Sequence, residues 1–329
     1  MPKLSEKSRK PFAGRTIKLI DASIIQQAGH KNGRGGRSLR LHLCYNLSAG
    51  AMEAVELTDH TVAESVTHFA IEKGVLYIAD AGYGKGKQIQ HIKKCHADAL
   101  FRVTPSHLKL AMDEKGHTQI NMVDMLNTSA DLLDIKCFVH TQKGNYTPVR
   151  IIASRLPEDK ALLAKQRKLR SASKRQCQIR EKTLVYAGWV FLMTTLGDEH
   201  SADSLLKMYR ARWQVELLFK RIKQALNVTK LRPASLEHAK VTVLMMLILW
   251  AITEKQIFAA EALLQKKQLD MSRYSICATS GFFFQHLRAT ICSIMTLLID
   301  SDNLNNALLR LMNHRSRRVN QFVDLRFIA

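Results

Sequence analysis

Tyr209, Arg212, Glu216 and Lys223 stand at offsets that bring a ring, two cations and a carboxylate within an arc of roughly 60° on an α-helix. A carboxylate set among cations in this way suits a metal ion beside a phosphate. A second stripe, Met208, Val215, Phe219, Ile222 and Leu226, repeats at three-, four- and seven-residue steps about a quarter-turn away. One face can therefore dock on a core while the polar stripe faces a cleft. The same spacing also suits a plain amphipathic helix with solvated charges, so spacing alone does not decide.

Two carboxylates far upstream add weight to the chemical reading. In Thr16-Ile17-Lys18-Leu19-Ile20-Asp21 and in Val75-Leu76-Tyr77-Ile78-Ala79-Asp80, a β-type run stops at an aspartate and small or flexible residues follow. Both aspartates are expected at strand ends, the edge of an open α/β sheet where ligands bind. One such aspartate is commonly a turn former. Two of them with a glutamate on a later helix make a rarer set.

The order Asp21, then Asp80-Ala81-Gly82-Tyr83, then Tyr-x2-Arg-x3-Glu-x6-Lys from Tyr209 to Lys223 resembles the DDE transposases of bacterial insertion sequences. Within them it resembles the insertion-sequence-4 family, whose signature is that Tyr-Arg-Glu-Lys spacing. The Arg40-Leu41-His42 strand and the Gly188-Trp189 strand are also similar, and the resemblance spans roughly residues 15 to 255. It implies an α/β fold with a ribonuclease H-like catalytic core, a mixed sheet flanked by helices. Asp21, Asp80 and Glu216 would be both catalytic acids and ligands of two Mg²⁺ ions, for which Mn²⁺ can substitute. Arg212, Lys223 and Lys220 would hold phosphates of transposon-end DNA, with Tyr209 packed or hydrogen-bonded against the same strand.

The chemistry gives its own reason for such a set. Phosphodiester cleavage or strand transfer must activate a water or a 3′-hydroxyl and stabilise the departing oxygen, and two metal ions can do both. Three carboxylates crowded together repel or take up protons without metal. The empty site is therefore expected to be poorly ordered or partly protonated.

Composition agrees. The chain has 329 residues, with 50 Lys and Arg against 28 Asp and Glu, giving a formal charge of +22. Its pI near 9.9 is the electrostatic footprint of a nucleic-acid binder. Acidic membranes or proteins would also attract such a chain, but the three embedded acids favour phosphate brought to metal. Six scattered cysteines without a CxxC suggest reduced thiols. His91, Cys95 and His96 cluster without an identifiable fourth ligand. No apolar signal region opens the chain, and Val241 to Ile252 is short for a bilayer span and reads as a buried helix. The expected partners are double-stranded DNA, at transposon ends and target, and a second copy in a homodimer, with no membrane. The expected location is a bacterial cytoplasm, on the nucleoid.

The segmentation expected is a basic flexible segment over 1–14, a first part of the core over 15–103, a β-rich insertion over 104–197, the catalytic helix within 198–232 and a helical region over 233–329. In the first part, a Gly-Arg loop from Gly29 to Arg37 is followed by strands near Ser38 to Leu47 and Met52 to Leu57, then a helix near Val62 to Lys73. Gly82-Tyr83-Gly84-Lys85-Gly86-Lys87 opens a helix through about Cys95. It lacks the Walker A spacing, with Gln88 in the hydroxyl position. Its amides could hold a phosphate, although a plain strand-to-helix turn accounts for the glycines.

Between Asp80 and Glu216 lie 135 residues, enough for the insertion, with β-leaning runs at Ile135 to His140, Thr147 to Ile152 and Leu184 to Thr194. Lys160 to Lys182 holds nine lysines and arginines and one acid, which suits a solvated face or a phosphate backbone equally. Trp189 suits either the core or a stacked base. Later helices are expected at Ser235 to Leu264, Phe282 to Leu298 and Leu304 to Asn313.

Family members usually carry a helical DNA-binding region ahead of the first Asp, whereas 20 residues precede Asp21, so the chain reads as an N-terminally truncated copy. The leading function is metal-dependent DNA cleavage and strand transfer at insertion-sequence ends, by cut-and-paste transposition. The alternatives are a catalytically defective DNA-binding protein derived from a transposase and a stand-alone ribonuclease H-like nuclease.

Overall fold

A computed structural model describes residues 14–25, 38–142, 144–225, 237–248 and 250–252. The chain divides into two compact units, Met1–Met245 and Met246–Ala329. In the first unit, β1 (Ile17–Ile25), β2 (Leu39–Asn46) and β3 (Ala51–Asp59) form an antiparallel meander. Next, β4 (Leu76–Ala79) pairs parallel with β1, and α1 (Gly86–Lys94) crosses over to β5 (Asp98–Arg102), parallel to β4. All four residues of β4 are buried, as expected for a parallel strand covered on both faces.

The chain then makes β6 (Leu110–Ala111), α2 (Met122–Thr128), β7 (Leu132–His140) and β8 (Tyr146–Arg155). After these come α3 (Glu158–Lys174), α4 (Glu181–Ala187) and β9 (Trp189–Thr194). β9 returns between β5 and β8, antiparallel to both. All nine strands therefore belong to one mixed sheet, in the order β3-β2-β1-β4-β5-β9-β8-β7-β6. This is the mixed α/β class expected. One apolar cluster runs from Ile20 and Tyr77 through Ile89 and Phe101 to Ile151 and Met193. The chain continues through α5 (Ala202–Tyr209), a 3-10 turn at Arg210–Arg212 and α6 (Trp213–Ala225).

Several expectations need correction. Asp21 does not end its strand, because β1 runs on to Ile25 while β2 pairs with it from Asp21↔Leu43 to Ile25↔Leu39. What stops before Asp21 is the parallel ladder to β4, at Ile20↔Ala79. In place of a helix from Val62 to Lys73 there is a single 3-10 turn, Val66–His68. Side chains take backbone donors along this run: Val66 N–H goes to Gln88 Oε1 at 2.9 Å and Glu72 N–H, beyond the turn, to the Tyr77 hydroxyl at 2.9 Å.

The run from Leu184 to Thr194 is also not one strand. α4 takes Glu181–Ala187, Gly188 ends it, and β9 begins at Trp189. A short apolar run suits either element, and here Tyr186 meets the Phe191 ring edge-on at 5.6 Å. The Tyr209 to Lys223 helix is interrupted as well, since Arg210–Arg212 form the tighter 3-10 turn while the backbone stays right-handed at Tyr209 and Trp213. In the helical run at 237–248, Val243 is buried but Val241, Leu244 and Met245 are exposed, so that segment is not buried all round. The basic start, the Gly29 to Arg37 loop, Leu226 and the helices after Ile252 lie outside the described residues.

Candidate active site

Strand register brings the two aspartates together. Ile20 pairs with Ala79 across parallel β1 and β4, so Asp21 and Asp80 follow side by side on neighbouring strands, which lie about 4.8 Å apart. At that point β4 ends in a turn, with Tyr83 N–H donating to the Asp80 carbonyl at 3.0 Å. The third acid arrives from α6, which packs on β1 through its apolar face, with Val215, Leu218, Phe219 and Ile222 all buried.

Arg212 joins these groups. Its Nη1 donates to Asp21 Oδ2 at 3.4 Å and its Nη2 to Glu216 Oε1 at 2.5 Å. Its guanidinium carbon lies 5.7 Å from the centre of the Tyr209 ring, and the Tyr209 hydroxyl donates to Asp80 Oδ1 at 3.3 Å. The 3-10 turn thus sets Tyr209 and Arg212 between the three acids. Burial pushes the Asp21 carboxyl up to about 6, against the Ala22 N–H and Arg212, which favour the charged form; Asp80 and Glu64 add to the rise. The rise is chiefly an effect of burial, with the neighbouring acids a smaller part of it. Burial likewise raises the Tyr209 phenol, helped by Asp80, and lowers Lys223.

A cavity of about 420 Å³ opens beside this cluster, lined by Asp21, Ala22, Ser23, Glu216, Phe219, Lys220 and Lys223. Lys223 Nζ donates to Ser23 Oγ at 2.6 Å, while Lys220 is exposed at the rim. Of the site residues expected from sequence, Asp21, Glu216, Lys220 and Lys223 therefore share the cavity wall. Arg212 touches that wall directly at Asp21 and Glu216, Tyr209 joins it through Arg212, and Asp80 through Tyr209.

The transposase DDE domain family matches residues 12–252. The chain belongs to this family. A putative transposase InsL for insertion sequence element IS186A of Escherichia coli strain K12 is 32% identical over 236 residues, covering 69% of this chain and 62% of that protein. A transposase for insertion sequence element IS421 of Escherichia coli matches with the same identity and coverage. The alignment thus spans about six-tenths of the length of these relatives.

DDE transposases generally use divalent metal ions. The donor chemistry of Asp21, Asp80 and Glu216 fits such an ion, since hard cations take carboxylate oxygens. In this structure Arg212 stands between Asp21 and Glu216, and no three His, Cys, Asp or Glu side chains among the described residues are grouped closely enough to hold a metal.

Two residues beside the candidate site, Arg40 and Glu64, are given no role there by the sequence. Arg40 on β2 donates from Nη1 to Glu64 Oε1 at 3.3 Å and from Nη2 to the His60 carbonyl at 3.0 Å. This holds Glu64 over Gly82, where a Cβ would stand 1.7 Å from Glu64 Oε2. Glu64 is thus a further carboxylate beside Asp21 and the turn after Asp80. Its only sequence signal is Gly82 itself, whose missing side chain makes room for it.

Other motifs prove structural. Gly84 and Gly86 allow close backbone approach to the Arg102 and His140 carbonyls, and the buried Gln88 amide ties α1 to Ser65 and Val66. These contacts favour the plain strand-to-helix turn over a phosphate loop. Trp189 is buried, with the Arg155 guanidinium 4.8 Å from its ring centre, which favours the core reading.

Proposed function

We propose that this chain cleaves DNA strands at insertion-sequence ends and joins the freed 3′-hydroxyl to a target, in the manner of cut-and-paste transposition, and that it belongs to the insertion-sequence-4 group. The observation that carries this reading is the Arg212 fork. One cation engages Asp21 and Glu216, which come from a central strand and a distant helix, while Tyr209 holds Asp80 beside it. Two Mg²⁺ ions, held by Asp21, Asp80 and Glu216, would supply activation of the attacking hydroxyl and charge neutralisation at the leaving oxygen.

The protein's own groups do the rest. Arg212 is a planar two-donor cation suited to a phosphate, and Lys223 and Lys220 place point charges along the same cavity. When DNA enters, its phosphate replaces the carboxylates as partner of Arg212, which frees acid oxygens for metal. The Tyr209 hydroxyl keeps Asp80 oriented throughout. The +22 formal charge draws duplex DNA to the molecule, and two copies hold two ends in a dimer.

The test is purified protein with labelled DNA carrying the element's terminal repeats, in Mg²⁺ or with chelator. The wild type should give specific 3′-hydroxyl ends in Mg²⁺ alone. Glu216→Gln should lower that cleavage by on the order of 10³-fold or more, as expected for a group that acts in the transition state, with DNA affinity within about twofold. Retained metal-dependent nicking by Glu216→Gln removes Glu216 from the mechanism. Binding without cutting by the wild type supports a defective DNA-binding relic, and preference for RNA–DNA hybrid a stand-alone nuclease.

A further inference from the structure

α3 is the least integrated element of the described fold. None of its 17 residues is buried, and only its Ala161, Ala164 and Ala172 side is half-covered, near α4 and Gly188. Its acids, Glu158 and Asp159, both stand in the first turn. After them come Lys160, Lys165, Arg167, Lys168, Arg170 and Lys174, none of which forms an ion pair with a described carboxylate. At about 100° per residue, Lys160, Arg167, Arg170 and Lys174 fall within an arc of roughly 80°, centred about 120° from the half-covered side, with the exposed Leu163 inside it. At about 1.5 Å per residue that stripe is roughly 21 Å long. Arg167 with Arg170, and Arg170 with Lys174, are like-charged neighbours on the helix surface, an arrangement that a polyanion relieves.

Register shows where this helix is rooted. Ile20, Ala79, Phe101, Met193 and Ile151 form one row across β1, β4, β5, β9 and β8. Asp21 and Asp80 lie one residue beyond that row on the C-terminal side of β1 and β4. β8 runs in the same direction as β4, so its C-terminal residues reach the same sheet edge, and α3 leaves from there after Arg155. β8 is three strands from β4, or about 14 Å at the usual strand spacing.

We propose that the Lys160, Arg167, Arg170 and Lys174 stripe of α3 binds the phosphate backbone of duplex DNA that lies along the site edge of the sheet, independently of base sequence. This rests on the reading of the site as one that works on DNA. A second copy of the chain is disfavoured as occupant because it would bring the same cations to this face. A membrane surface is disfavoured because the exposed Leu162 and Leu169 stand about 100° from Leu163, leaving no continuous apolar face.

The experiment measures affinity for a duplex of arbitrary sequence over a range of salt, in chelator, so that no cleavage is needed. The quadruple variant K160Q/R167Q/R170Q/K174Q is compared with a control of equal charge loss elsewhere, K73Q/K93Q/K94Q/K115Q. A charge-keeping variant, K160R/R167K/R170K/K174R, shows whether charge alone suffices. Each lost phosphate contact lowers the slope of log affinity against log salt by about 0.9, so the stripe variant should lose up to about 3.6 in slope and the control less than about 1. The charge-keeping variant should match the wild type. Equal losses in both quadruples, or no loss, overturn the proposal, as does loss of self-association with unchanged DNA affinity. If the wild type binds through the stripe but never cuts, the function proposed above fails and this inference stands. If it cuts with unchanged slopes, the reverse holds.

Discussion

Gly82 and Gly86 stand four residues apart, yet a methyl group added to each meets a different obstacle. At Gly82 the obstacle is Glu64 Oε2, the far end of a flexible side chain, 1.7 Å from the new Cβ. At Gly86 it is the His140 carbonyl oxygen, a backbone atom, 2.0 Å away. Neither glycine has a positive φ, so an alanine is not strained by conformation. Gly82→Ala should therefore expel Glu64 from Arg40, a loss of about 0–1 kcal/mol for a partly exposed pair. The lower entropy of the unfolded chain offsets that by a similar amount. Gly86→Ala must displace β7 or α1 and should cost about 1–3 kcal/mol. Urea unfolding of the two variants checks this, and equal losses would show that the Glu64 contact is as rigid as the backbone one. The same reasoning explains why the carboxylates differ in legibility. Glu216 could be placed from its helical offsets to Arg212 and Lys223, whereas Glu64 reaches the site from the loop after β3, held by Arg40 of β2, a contact that no local pattern encodes.

Among the elements, the meander and the 3-10 turn at Val66–His68 are held by a pair of histidines. His42 on β2 is fully buried, its Nε2 is 2.9 Å from Thr58 Oγ1 on β3, and its ring stacks on His68 at 4.0 Å. Burial pushes His42 down to about 4, with the neighbouring His68 adding to the shift. Between about pH 4 and 6.5 the unfolded chain then holds more protons than the native one, so stability falls as pH falls through that window. The loss should reach about 2 kcal/mol between pH 7.5 and pH 5. Asp21 acts in the opposite sense, because its raised pKa makes the native state the greater proton holder between about pH 4 and 6. The comparison is therefore between wild type and His42→Gln, in which Asp21 is common and the amide can still meet Thr58. The variant should lose about 2 kcal/mol less on acidification, and identical pH profiles would exclude His42 as the cause. Strand positions here were legible because alternation and apolar runs are local, as in β2, β4, β7 and β8. The helix expected over Val62 to Lys73 was not, because side chains outside that run, Gln88 and Tyr77, take donors it needs. The strand expected from Leu184 failed for a related reason, since only packing tells a short apolar helix from a strand.

For the whole first unit, the question is whether the segment after residue 103 behaves as a separate body. The sheet runs through that boundary without a break: β9 pairs with β5 on one side and β8 on the other, so Met193 faces both Phe101 and Ile151. The apolar cluster is continuous across the same strands, with Phe101, Ile151 and Met193 all buried. Cooperative units follow shared burial and hydrogen bonding rather than sequence boundaries, so β4 and β8 should open together. Ile151→Ala removes a fully buried side chain and should cost about 2–5 kcal/mol. Native-state hydrogen exchange then separates the possibilities. With one cooperative unit, amides of Leu76–Ala79 lose protection by the same free energy as those of Ala153 and Phe191. If the amides of β4 keep their protection while those of β8 lose it, the insertion is an independent body that merely shares a strand edge with the core. In that case α3 would ride on a part able to open without disturbing Asp21 and Asp80, and DNA held by the helix would no longer be held in register with the acids.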